Sequence, residues 1–125
     1  MPQKHSHIIG GRRAVWLTER LWELARDLPM IVVRLSEIKE FDRNCWFGPD
    51  NEPTCRAVAE HARRISSADL SFPIILSSDG RLMDGGHRIC KTWMLGNEEI
   101  AAVRFSVDPA PDYFLPETES AAVGI

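Results

Sequence analysis

The sequence predicts an α+β domain: a small mixed sheet packed with helices, with an extra helix on its N-terminal side. Three observations lead there. Residues 12–28 and 53–66 repeat apolar side chains with the 3.6-residue period of a helix. Residues 30–35, 72–76 and 99–107 are short, apolar and rich in β-branched side chains, as strands are. A glycine pair, Gly85-Gly86, breaks the chain between a strand and a third helical stretch, 87–95.

Each element has its own signal. Residues 1–11 are polar and then glycine-rich, which reads as a mobile arm. In 12–28, Leu17, Leu21, Leu24, Ala25 and Leu28 share one helical face, Trp16 and Trp22 lie at its edge, and Pro29 stops the helix. Residues 30–35 form a strand, and Ser36-Glu37-Ile38 a one-turn connector. The stretch 41–51 mixes aromatic residues with turn formers and reads as a loop, in which Trp46 and Phe47 plug a core edge or close over a ligand. In 53–66, Cys55, Val58, Ala59, Ala62 and Ile65 make the apolar stripe, leaving Arg56, Glu60, Arg63 and Arg64 outside it; His61 lies beside the stripe. Ser78-Asp79-Gly80 turns 73–83 into a hairpin. Gly96 suits the left-handed position that ends a helix. Residues 108–125 are a proline-containing tail after a single domain spanning 12–107.

Composition narrows the function. Of 125 residues, 44% are hydrophobic, enough for a core without metal or disulfide. The net charge of −3 disfavours non-specific binding to duplex DNA, which needs a basic face. Cys45, Cys55 and Cys90 show no C-x-x-C spacing, so a disulfide framework is not expected. No signal peptide or membrane-length apolar run is visible, and the cytoplasm is the expected compartment.

The chemistry concentrates at Asp84-Gly85-Gly86-His87-Arg88. The first turn of a helix has N–H groups without intrahelical partners and the positive end of the dipole. Glycines let an anion approach those groups. Arg88 offers a planar fork of donors, His87 a further donor, and Lys91 a charge one turn on. The expected ligand-binding residues are therefore Gly85, Gly86, His87, Arg88 and Lys91. The same residues also allow a plain reading, a tight turn with Arg88 paired to an acid, and spacing alone weighs the two equally. No catalytic residue is assigned; Glu37, Asp42 and Asp84 are weak candidates for a general base or a Mg²⁺ ligand. No metal site is expected: His5 and His7 form an isolated H-x-H pair. Cys90 is expected to pack in the core.

Residues Pro73-Ile74-Ile75-Leu76, Asp79-Gly80-Arg81, Met83-Asp84-Gly85-Gly86-His87-Arg88 and Leu95-Gly96 resemble the ParB/sulfiredoxin superfamily (the ParB-like nuclease domain), and Val33-Arg34-Leu35-Ser36-Glu37-Ile38 looks like that family's opening strand and connector. The resemblance implies a sulfiredoxin-like fold and a nucleotide phosphate at the glycine loop. It has departures. Gly86 stands where sulfiredoxins carry the catalytic cysteine and free-serine kinases a histidine, so reductase chemistry is not implied. Residues 108–125 are too few for the helix-turn-helix region of a partition protein. The leading expectation is a domain binding a nucleotide or phosphorylated small molecule, with ATP or CTP and Mg²⁺ as the cofactor to test, its base toward 41–47, and NTP hydrolysis or phosphoryl transfer left open. The alternatives are a nuclease-like or DNA-partition accessory domain, with DNA not favoured, and a non-catalytic protein-interaction module, a homodimer included.

Overall fold

The computed structural model describes residues 3–115. The chain runs β1 (Lys4–Ile9), β2 (Arg12–Leu17), α1 (Thr18–Ala25), β3 (Ile31–Arg34), two 3-10 turns (Leu35–Glu37 and Lys39–Asp42), α2 (Cys55–Ser67), β4 (Ile74–Leu76), β5 (Leu82–Asp84), α3 (Gly86–Met94), β6 (Glu99–Arg104) and β7 (Tyr113–Leu115). The α+β class stands, with helices packed on two small sheets. Among the described residues no helix is long and apolar enough to cross a membrane.

The first sheet, β1-β2-β7, is antiparallel throughout; the second has the order β3-β6-β4-β5, with β4 and β6 parallel and its other pairs antiparallel. Successive strand residues face opposite ways, and the second sheet uses both faces. Ile74, Leu76, Leu82, Ile100 and Ala102 pack with Ile89 of α3 and with Leu35 and Ile38. Ile75, Met83 and Val103 pack the opposite way, against Ala14 and Trp16 of β2 and Leu21 and Ala25 of α1. A sheet covered on both faces reads as a continuous apolar run rather than an alternation, hence Ile74-Ile75-Leu76.

Two expectations are corrected. Lys4–Ile9 is a strand, where the sequence suggests a mobile arm, and Arg12–Leu17 is its antiparallel partner, where the sequence suggests the first turns of a helix. Gly10 and Gly11 both have positive φ, 58° and 79°, as a two-residue hairpin turn requires. The extra N-terminal helix exists but begins only at Thr18. Part of the expected tail also has a place: Tyr113–Leu115 pairs with Arg13–Val15 on β2. The remainder of that tail, 116–125, lies outside the described residues, as do the first two residues of the expected arm.

Candidate functional site

The glycine loop joins β5 to α3 and contributes Gly85 to the lining of a cleft of about 970 Å³. Ile75 and Val103 of the second sheet form part of its floor. Trp22 of α1, Arg26 at its C-terminal end, Met30, Arg64 of α2 and Phe72 also line it, together with Asp84, Gly85, His87 and Arg88. Three large apolar side chains there are well exposed, Trp22, Met30 and Phe72.

Gly85 is required twice over. Its φ of 122° is one that L side chains rarely adopt, and a Cβ there would collide with Ile74, reaching 2.9 Å from that residue's Cβ. The loop can therefore lie directly on β4. Gly85 O accepts from Ile89 N at 3.0 Å, which starts α3, and no side chain caps the helix. The amides of Gly86, His87 and Arg88 donate to no atom among the described residues. These are donors of a helix start left without partners; His87 and Arg88 line the cleft, whereas Gly86 is buried and lines a separate small pocket with Trp46 and Cys90.

Arg88 is largely committed. Its Nη1 donates to Phe72 O at 3.1 Å and Pro73 O at 2.6 Å, and its Nη2 donates to Asp84 Oδ2 in a buried ion pair. The same carboxylate oxygen accepts from Trp22 Nε1 at 2.8 Å. Asp84 thus joins α1 to α3 and neutralises Arg88, while Arg88 Nε keeps no acceptor among the described residues. This is the plain reading of the loop, and it holds alongside the open amides. Lys91 points elsewhere: its Nζ donates to Ser66 O at 3.0 Å and Ala68 O at 2.7 Å, covering the C-terminal carbonyls of α2. It does not line the cleft. Arg26 and Arg64, which do, form no ion pair among the described residues.

His87 has an unforeseen neighbourhood. His61 Nδ1 and His87 Nε2 lie 2.8 Å apart in a hydrogen bond, with the rings inclined by 14°. Trp46 lies flat over both imidazoles, its ring centroid 4.4 Å from that of His61 and 4.6 Å from that of His87, and Phe47 meets His61 edge-on. The loop is braced from within: Asn44 Nδ2 donates to Phe47 O, Phe47 N donates to Asn44 Oδ1, and Asn51 Nδ2 donates to Trp46 O. Burial is the main cause that pushes His87 down to about 4, with His61, Arg64 and Arg88 adding repulsion. His61 is lowered too, first by burial and then by Arg64, against the pull of Glu60.

Glu37 and Asp42 are exposed and do not line the cleft. Bringing them there needs β3 beside the hairpin, whereas β6 and β4 lie between. The 41–47 loop, expected to face a base, plugs the α2–α3 seam and likewise stays off the cleft lining. Cys90 is half-buried, its thiol raised by burial and so poorly suited to act as a nucleophile. Among the described residues no three metal-ligating side chains group together.

No family model matches the chain, and no curated protein matches it. A solved structure of a Pnob8-like ParB-N domain is similar over 65% of this chain, at 19% identity and a TM-score of 0.40. The chain spans 31% of the length of that one. So distant a likeness leaves the function to be argued from the cleft itself.

Proposed function

We propose that the cleft binds a phosphorylated ligand of nucleotide size, with a phosphate at the start of α3 and a planar ring toward Trp22 and Phe72. One observation carries this: His87 and Arg88, whose helix-start amides have no partner among the described residues, line a cleft of about 970 Å³ that also holds two arginines without ion partners. A pocket of that size suits a small molecule. Helix-start amides and guanidinium groups recognise oxyanions. Exposed aromatic rings offer a nucleobase a stacking surface. The reading gives binding to Gly85, His87, Arg64 and, through its amide and Nε, Arg88, while Gly86 shapes the turn. Lys91 supports them by holding α2 in place. Asp84 fixes Arg88 and Trp22. Mg²⁺, where the ligand brings it, would ride on the ligand's phosphates.

Calorimetry with ATP, CTP, GTP and ADP, with and without Mg²⁺, tests this. Binding by at least one is expected. Arg64→Ala should weaken it about two- to fivefold, the worth of an ion contact at an exposed site. Arg88→Ala is a poor probe, because it also strips Asp84 of its partner. Silence from all four nucleotides ends the proposal.

The interaction-module reading has one observation in its favour. Trp93, Met94 and Leu95 are consecutive and exposed at the end of α3, with Phe41 against Trp93. Sedimentation at rising concentration separates the two readings, since self-association removed by Trp93→Ala would favour this second one.

A further inference from the structure

The imidazole pair beside the cleft has no role in the reading above beyond placing His87. We propose that His61 and His87 together form the cleft's proton store: when an oxyanion seats beside His87, one proton from solvent enters the pair and is shared between the rings. This rests on the anion-binding reading of the same cleft.

The geometry supplies the argument. One N–H···N bond joins the rings at 2.8 Å. A neutral pair can place its bridging proton on either ring. With the proton on His61 Nδ1, His87 Nδ1 is an N–H donor; with it on His87 Nε2, His87 Nδ1 is a lone pair that repels anions. A singly protonated pair keeps the bridge and carries N–H at both outer nitrogens. It therefore gains a donor and a charge without moving a ring. Trp46, flat over both rings, accepts a cation on its π face.

The surroundings set the threshold. Burial, Arg64 from α2 and Arg88 from α3 oppose a proton on His87, while Glu60 favours one on His61. Asp84 at the end of β5 is already matched to Arg88, Lys91 faces the end of α2, and the 44–51 loop presents aromatic rings. The empty pair therefore stays neutral near pH 7. A dianion offsets the repulsion of Arg64, which no acid partners among the described residues, and itself attracts a charged ring, so the pair takes up its proton. Linkage is reciprocal, so protons tighten anion binding by the factor by which the anion tightens proton binding.

Imidazole titration by NMR on the intact chain, with and without saturating sulfate, tests this. Sulfate remains a dianion throughout the range, so any proton taken up belongs to the protein. The midpoint of the His61–His87 pair should rise by about one pH unit or more, equivalent to about tenfold tighter sulfate binding at the acid end. His5 and His7, on the other sheet, should not move. If sulfate shifts the amides of Gly86, His87 and Arg88 but leaves the pair's midpoint unchanged, the proton store is overturned and the anion site survives. If sulfate leaves those amides unmoved, both fall.

Discussion

Asp84 has one oxygen serving two partners, Arg88 Nη2 and Trp22 Nε1, and both carboxylate and guanidinium are largely buried. Removing one member of a buried pair leaves the other charge uncompensated. Asp84→Ala should therefore cost about 3–5 kcal/mol of stability, read from urea unfolding; a loss under about 1 kcal/mol would mean that the pair is solvated. Gly85 makes a second test. Gly85→Ala adds a forbidden φ and a clash with Ile74, each worth roughly 1–3 kcal/mol. Gly96→Ala meets open space at a φ of 83° and should cost only about 1–2 kcal/mol. Equal losses at the two glycines would rule out the close approach to Ile74 as the reason for Gly85. The sequence shows that something special happens at Gly85-Gly86. It cannot show that Ile74, eleven positions earlier, is the surface the loop lies on, because that depends on strand pairing.

Legibility in the elements follows the range of the forces that specify them. α2, the β4–β5 hairpin and α3 are all visible in the sequence, but the inward face of α2 is not the apolar stripe: Cys55, Val58, Ala59 and Ala62 are exposed, and Ala57, His61 and Ile65 are the partly buried positions. α2 also starts later than Pro53. Thr54 is the cap, its Oγ1 accepting from Ala57 N at 3.1 Å. Thr54→Ala should lower stability by about 1 kcal/mol, measurable by thermal or urea unfolding, with no change in the cleft. The β1–β2 hairpin is less visible, because a sound helical stripe from Leu17 onward extends backward into Arg12–Trp16 without contradiction. The Gly10-Gly11 pair is the signal that outweighs it, as adjacent glycines are a two-residue hairpin turn. The His61–His87–Trp46 stack has no local signature. Its members come from α2, α3 and a loop, and only the packing of α2 on α3 brings them together.

Across the whole molecule, the histidines set the response to acid. His87 is lowered to about 4 and His5 to about 3, both chiefly by burial, with His7 and His61 lowered as well. In each case the unfolded chain binds a proton that the folded chain refuses. Their stabilising effect is thus fully present above the unfolded value of 6.5 and is lost as pH falls toward 4 for His87 and 3 for His5. Asp69 and Asp79, lowered from 3.8, add their loss only below that value, so the first decline belongs to the histidines. Denaturant midpoints should fall steadily between about pH 7 and pH 5; a flat profile there would mean that the imidazoles are more accessible than their packing indicates.

The antiparallel ladder between Arg13–Val15 and Tyr113–Leu115 ties together segments that lie far apart in the sequence. Three further ties reinforce the fastening: Trp16 Nε1 donates to Pro109 O, Leu17 N donates to Asp112 Oδ2, and Arg20 pairs with Asp112. Chain synthesised up to Arg104 holds the whole second sheet yet leaves β2 with a bare rim and Trp16 without its acceptor. The first sheet is thus completed only when β7 emerges, and a protease that clips near residue 108 would loosen residues some ninety positions upstream.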